Sequence, residues 1–97
     1  MKSAKFPLGQ VVATPGALEA LESASQTPVE FLSRHASGDW GELDSEDKQA
    51  NDDALTTGAR LLSAYHTANN SKIWIITEAA DENGRREATT ILLPSEY

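Results

Sequence analysis

From residue 59 onward the apolar residues stop recurring every three or four positions and begin to alternate, and this change of period constrains the fold more than any other feature. Three runs, "RLLSAYH", "KIWIITE" and "EATTILL", are rich in β-branched and aromatic side chains, which suit a pleated and half-buried surface. "TANNS" separates the first two, and "DENGR", containing Asn83-Gly84, separates the second two. Asn-Gly between two such runs signals a hairpin with a primed turn. The last third of the chain is therefore expected to form a three-stranded antiparallel meander. One face carries either Leu62, Ala64, Trp74 and Ile76 or the complementary set Leu61, Tyr65, Ile73 and Ile75. Register alone leaves both open, and helices packed on one face would decide between them.

The first 58 residues read as helical. Thr14-Pro15 and Thr27-Pro28 each supply an N-cap hydroxyl followed by proline at the first helical position, where a missing N–H costs nothing. The first helix sets Leu18, Leu21 and Ala24 on one side. In the second, Val29 and Leu32 point one way, with Phe31 and His35 stacked at i and i+4 beside them. A third helix is expected from Asp44 or Ser45 to Thr57, ended by Gly58. It has few apolar residues (Ala50, Ala54 and Leu55) and Glu46 and Asp47 at the positive end of its dipole, so it belongs on the surface. "GQVVA" ahead of the first helix is short and β-prone, and residues 1–9 read as a loose arm. The fold class expected is α+β: short N-terminal helices, then the meander, with an extra short N-terminal strand as an option. Ninety-seven residues make a single domain.

The net charge of −7 disfavours direct nucleic-acid binding, which works by neutralising phosphates with basic faces. The absence of cysteine removes disulfides, thiol catalysis and cysteine-ligated zinc. No apolar run approaches the ~20 residues that span a bilayer, and the N-terminus has no apolar signal region. A cytoplasmic protein without membrane contact is expected, and the sequon Asn69-Asn70-Ser71 then carries no meaning.

Catalytic patterns are sparse. His35 and His66 lie on different elements, and even with Asp39 they lack the spacing of a metal site, so neither metal nor cofactor is expected. No serine sits in a strained elbow, and no glycine-rich phosphate loop occurs. What stands out is "RHASGDWGELDSED", residues 34–47. Between Asp39 and Asp53 lie seven acids and the single base Lys48, which accounts for six of the seven net negative charges. An acidic helix with a flanking loop can steer toward a basic protein surface. Trp40 between two glycines is either an anchor into the core or a hot spot for a partner. The residues expected to meet a partner are Asp39, Trp40, Glu42, Asp44, Glu46 and Asp47.

"GQVVATPGALEAL", "FLSRHASGDWGELDSEDKQANDDAL", "GARLLSAYH", "KIWIITEA" and "TTILLPSEY" together resemble a family of small proteins carried on bacterial plasmids and integrated mobile elements. Its members are often labelled plasmid-related protein and sometimes type I restriction endonuclease subunit M. The resemblance spans nearly all of the chain beyond the first few residues and is most specific in "RHASGDWG" and "IWIITEA". It implies a bacterial mobile-element setting. The methyltransferase label does not fit, because a glycine-rich cofactor loop and an Asn/Asp-Pro-Pro-aromatic motif are both missing. The expectation is a small non-enzymatic factor that binds a protein with a basic surface and modulates or inhibits a nucleic-acid-processing or defence protein. The alternatives are a small hydrolase using Arg34, His35 and Asp39, and a regulatory homodimer joined through a sheet edge or Trp40.

Overall fold

The structure is a computed structural model that describes residues 4–97. Three helices form as the punctuation predicts. The first, α1 (Pro15–Ser23), starts at Thr14, whose hydroxyl accepts the Ala17 N–H at 3.1 Å. The second, α2 (Pro28–Ala36), follows Thr27, whose side chain makes no cap bond. The third, α3 (Ser45–Thr57), is capped by the Asp44 carboxylate on the Asp47 N–H at 2.8 Å. It ends at Gly58 in the left-handed conformation.

Four strands form one mixed sheet: β1 (Gln10–Ala13), β2 (Leu61–His66), β3 (Lys72–Thr77) and β4 (Ala88–Leu92), in the order β1-β4-β3-β2. The expected meander is present as β2-β3-β4, antiparallel throughout. To it β1 adds a fourth strand, parallel to β4, so the sheet is mixed and its edges are β1 and β2.

The turn at Asn83-Gly84 differs from the primed turn expected. Only Gly84 has positive φ there, at 77°, whereas a type I′ turn needs two such residues. The Gly84 N–H bonds the Asp81 carbonyl and the Asp81 N–H bonds the Arg85 carbonyl, both at 2.9 Å. This is a three-residue loop with a left-handed glycine closing it. The Asp81 carboxylate accepts the N–H groups of Asn83 and Arg85, which gives the loop a local reason to bend early.

The helices decide the sheet register. All pack on the face carrying Leu61, Tyr65, Ile73 and Ile75, each almost wholly buried. One cluster joins Ala17, Leu21, Phe31, Tyr65, Ile73, Ile75 and Ile91, and a second joins Phe6, Trp40, Ala54 and Leu61. Packing on the sheet selects which side of each helix is buried. In α1 the buried pair is Ala17 and Leu21, while Leu18 is exposed. In α2 the core side is Phe31 and His35, and Val29 is 68% exposed. In α3 it is Asn51 and Ala54, with Ala50 in solvent. The described part of the N-terminal arm is not loose either. Phe6 is buried against Trp40 and His35, and the Lys5 N–H bonds the Ala36 carbonyl at 2.7 Å. Residues 1–3 lie outside the described residues.

Candidate functional site

The acidic stretch begins on a loop that its own backbone groups and the sheet hold tightly. Asp39 follows Gly38, which has φ 88°, and its N–H bonds back to the Arg34 carbonyl at 2.9 Å. Its carboxylate pairs with Arg34 Nε at 2.7 Å and also accepts the Gly41 N–H. The Tyr65 hydroxyl donates to the Asp39 carbonyl at 2.6 Å, and burial pushes the Tyr65 phenol up to about 12. The Arg34 guanidinium lies over the Tyr65 ring at 4.5 Å, and its bond to Asp39 raises its pKa further.

Trp40 corrects the expectation of a partner contact. It is 4% exposed, packed between Phe6 and His35, and its indole N–H donates to Asp52 at 3.0 Å. It anchors the loop in the core while its bond to Asp52 ties the loop to α3. The next residue, Gly41, makes a β-bridge to Ala64: Ala64 N–H bonds the Trp40 carbonyl, and Glu42 N–H bonds the Ala64 carbonyl. A Cβ on Gly41 would stand 2.0 Å from that carbonyl oxygen. No side chain fits there.

Two neighbouring positions extend this cover along β2. The Asn51 amide donates to the Leu62 carbonyl at 2.7 Å and accepts the Leu62 N–H at 3.1 Å, imitating one rung of a strand. At the far end the Glu42 carboxylate meets His66 Nδ1 at 2.6 Å. The outer edge of β2 is thus paired at Leu62 and Ala64 and is closed to another chain there, which removes it as the edge of a homodimer.

Near its C-terminal end α3 is held by Arg86, a residue with no distinguishing motif around it. Its guanidinium is buried and donates to the carbonyls of Ala54, Ala59 and Glu78 at 2.8–3.0 Å. Burial lowers its pKa, and the negative end of the α3 dipole offsets part of that cost. Tertiary bonds therefore hold α3 along its C-terminal half, at Asn51, Asp52 and Ala54. Glu46, Asp47 and Asp53 project into solvent from it, and they form no ion pair with the described residues. Asp53 accepts from Gln49, while Asp44 is committed to capping.

The three residues of the hydrolase alternative do not converge. Arg34 and Asp39 pair at the surface, whereas His35 points into the core with no exposed area. Its Nδ1 lies 2.5 Å from Ser63 Oγ, and its Nε2 lies 2.8 Å from Thr77 Oγ1. Thr77 Oγ1 lies 2.8 Å from Thr89 Oγ1, which donates to the Leu8 carbonyl at 2.7 Å. A carbonyl can only accept, so the proton of Thr89 is committed to it. Thr77 then donates to Thr89, His35 Nε2 carries the ring proton, and Ser63 donates to the bare Nδ1. Desolvation, followed by the charge of Arg86, lowers the His35 pKa to about 4. It is a neutral buried relay between α2, three strands and the N-terminal arm. No exposed base results.

Among the described residues no group of three or more His, Asp or Glu side chains could hold a metal ion, and no helix is long and apolar enough to cross a membrane. Of the six residues expected at a partner surface, Glu46 and Asp47 face solvent on α3, Asp44 caps it, Glu42 pairs with His66, Asp39 pairs with Arg34, and Trp40 is buried. Ser63, Thr77, Thr89, Asn51 and Arg86 carry no signal in the sequence, because a polar residue in a strand or a polar helix looks the same whether buried or solvated.

What these features define is an α+β domain of three helices on one face of a four-stranded mixed sheet, with a rigidly mounted acidic helix at one side. No family model matches the chain, and comparison with curated proteins and with solved structures returns no match.

Proposed function

We propose that this chain is a small non-enzymatic protein-binding factor. Its α3 and the loop before it meet a basic surface on a partner protein. The observation that carries this reading is the mounting of the acidic residues. A merely solubilising helix needs no fixed orientation, yet α3 is tied down through Trp40–Asp52, Asn51–Leu62 and the bond of Arg86 to the Ala54 carbonyl. Glu46, Asp47 and Asp53 are left facing solvent. Carboxylates held at fixed spacing present a pattern that a phosphate-binding surface can recognise. Partners that normally hold nucleic acid are therefore the natural class, and the mobile-element resemblance makes restriction or other defence proteins the first candidates, in the cytoplasm of a bacterium.

The test is relief of restriction in living cells. Bacteria carrying a defence system and expressing the chain should accept unmodified plasmid more often than cells without it. A variant with Glu46→Gln, Asp47→Asn and Asp53→Asn should lose that effect while keeping its melting temperature. No relief across a panel of defence systems would overturn the assignment to defence. An enzyme built on Arg34, His35 and Asp39 has no support in the geometry, because its base faces the core.

A further inference from the structure

The two edges of the sheet are treated in opposite ways. The outer side of β2 is taken up at Ala64 by the Gly41 bridge and at Leu62 by the Asn51 amide. Nothing comparable covers β1. Its parallel pairing turns the N–H groups of Gln10 and Thr14 toward β4, where they bond the Glu87 and Ile91 carbonyls at 2.9 and 3.0 Å. Peptide groups alternate in direction along a strand. Val12 therefore also faces β4, while the N–H and carbonyl groups of Val11 and Ala13 point away from the sheet. Among the described residues these outward groups have no hydrogen-bond partner. Val11 and Val12 are 43% and 42% exposed. Open edges are usually guarded by a lysine, a proline or a bulge. Here no charged side chain occurs from Phe6 to Leu18, and β1 contains neither proline nor bulge. Only its length of four residues limits pairing.

We infer that two copies of this chain associate along the free edge of β1, pairing it antiparallel with itself about a two-fold axis that passes between the two Val12 residues. In an antiparallel pair, opposite residues exchange both bonds only where both point at the partner strand. An axis at Val12 sets Val11 of each copy opposite Ala13 of the other, so every outward group is bonded. An axis at Val11 would set Ala13 opposite Gly9, whose φ of 66° takes it out of strand conformation. An axis at Ala13 would set Val11 opposite Pro15, which has no N–H. Side-chain size agrees with the Val12 register. On the helix side Val11 comes beside the small Ala13, which borders the main core cluster. On the other side the two Val12 side chains meet at a non-bonded position, where opposite residues stand closest. A second copy is selected over an unrelated strand because this edge is self-complementary. A chain of net charge −7 also repels its own copy least along its longest uncharged stretch. The contact is small, so the dimer is weak and forms in the micromolar range or above. It lies at the opposite edge from β2, on which α3 packs. The acidic surface therefore stays free, and the dimer stands independently of the function proposed above.

Sedimentation of the full chain should show its average mass rising from monomer toward dimer between micromolar and millimolar concentration. Val11→Pro removes an N–H that no internal bond uses, and proline is tolerated on an edge strand at such a position. This variant should keep its melting temperature and stay monomeric throughout. Val12→Lys and Val12→Glu should each weaken the dimer by about tenfold or more, because like charges then meet across the axis. An equimolar mixture of these two variants should associate again, since each charge now faces its opposite. The mixture decides the matter even where Val11→Pro costs stability. A parent that is monomeric at millimolar concentration, a dimer that survives Val11→Pro, or a mixture no stronger than either charge variant alone overturns the proposal.

Discussion

At the scale of single residues, His35 is the side chain on which most of the polar core depends. Its two ring nitrogens are both bonded, with the proton on Nε2, so a second proton on Nδ1 would face the hydroxyl proton of Ser63. The folded pKa of about 4 lies below the ordinary 6.5, which means the unfolded chain takes up the proton first. The stability due to neutral His35 is then complete above 6.5 and is lost as pH falls toward about 4. Over that window the loss amounts to about 3 kcal/mol. Urea unfolding midpoints measured stepwise from neutral pH down through this window should fall in the parent. In His35→Phe they should start lower, because Ser63 and Thr77 lose a partner, and change less with pH. Equal slopes in the two proteins would show that His35 is not the titrating group. Thr77→Val removes the acceptor of the Nε2 proton and should cost about 1–3 kcal/mol at neutral pH.

At the scale of elements, two glycines with almost the same backbone conformation separate packing from strain. Gly84 has φ 77° with nothing within 4 Å of a built Cβ, while Gly41 has φ 76° with the Ala64 carbonyl oxygen 2.0 Å away. Gly84→Val should therefore cost only the backbone penalty, roughly 1–2 kcal/mol. Gly41→Ala carries that penalty and must also break the bridge to Ala64, so it should cost more than the bulkier change at Gly84. It should also expose the Ala64 amide, which hydrogen exchange reads directly. If Gly41→Ala melts above Gly84→Val, the bridge that mounts the acidic loop on β2 is not held as described. Much of this element-level picture was legible beforehand. Thr-Pro starts, Asp44 and Gly58 act on neighbours within four residues, and they place α1, α2 and α3 to within a residue. The helix faces were less legible, because Leu18 and Val29 have the periodicity of core residues, yet the smaller Ala17 and the aromatic Phe31 take the buried positions.

At the scale of the whole molecule, the uneven charge is the feature a partner would meet first. Long-range attraction acts on the rate of encounter, whereas desolvated contacts act on the rate of release. Once a partner is in hand, Glu46→Gln with Asp47→Asn and Asp53→Asn should slow association, with little change in dissociation. Raised salt should do the same to the parent. Asp44 and Glu42 are left unchanged, since one caps α3 and the other pairs with His66. Association rates that are identical for parent and variant at low salt would reduce α3 to a solvated surface.

Elements with local causes can be read along the chain: the three helix starts, the αL stop at Gly58, the alternation that makes β2, β3 and β4, and the crowding of acid between Asp39 and Asp53. Long-range packing settles which sheet face is covered, that β1 joins beside β4, that Trp40 turns inward, and that His35 is a core relay rather than a base. Each of these is a choice between two states of similar local energy. A strand can present either face, and an indole in a glycine-flanked loop can turn either way. The choice falls to contacts between residues far apart in the chain, such as Phe6 on Trp40 and His35 on Thr77, and a pattern read along one strand or helix carries no record of them.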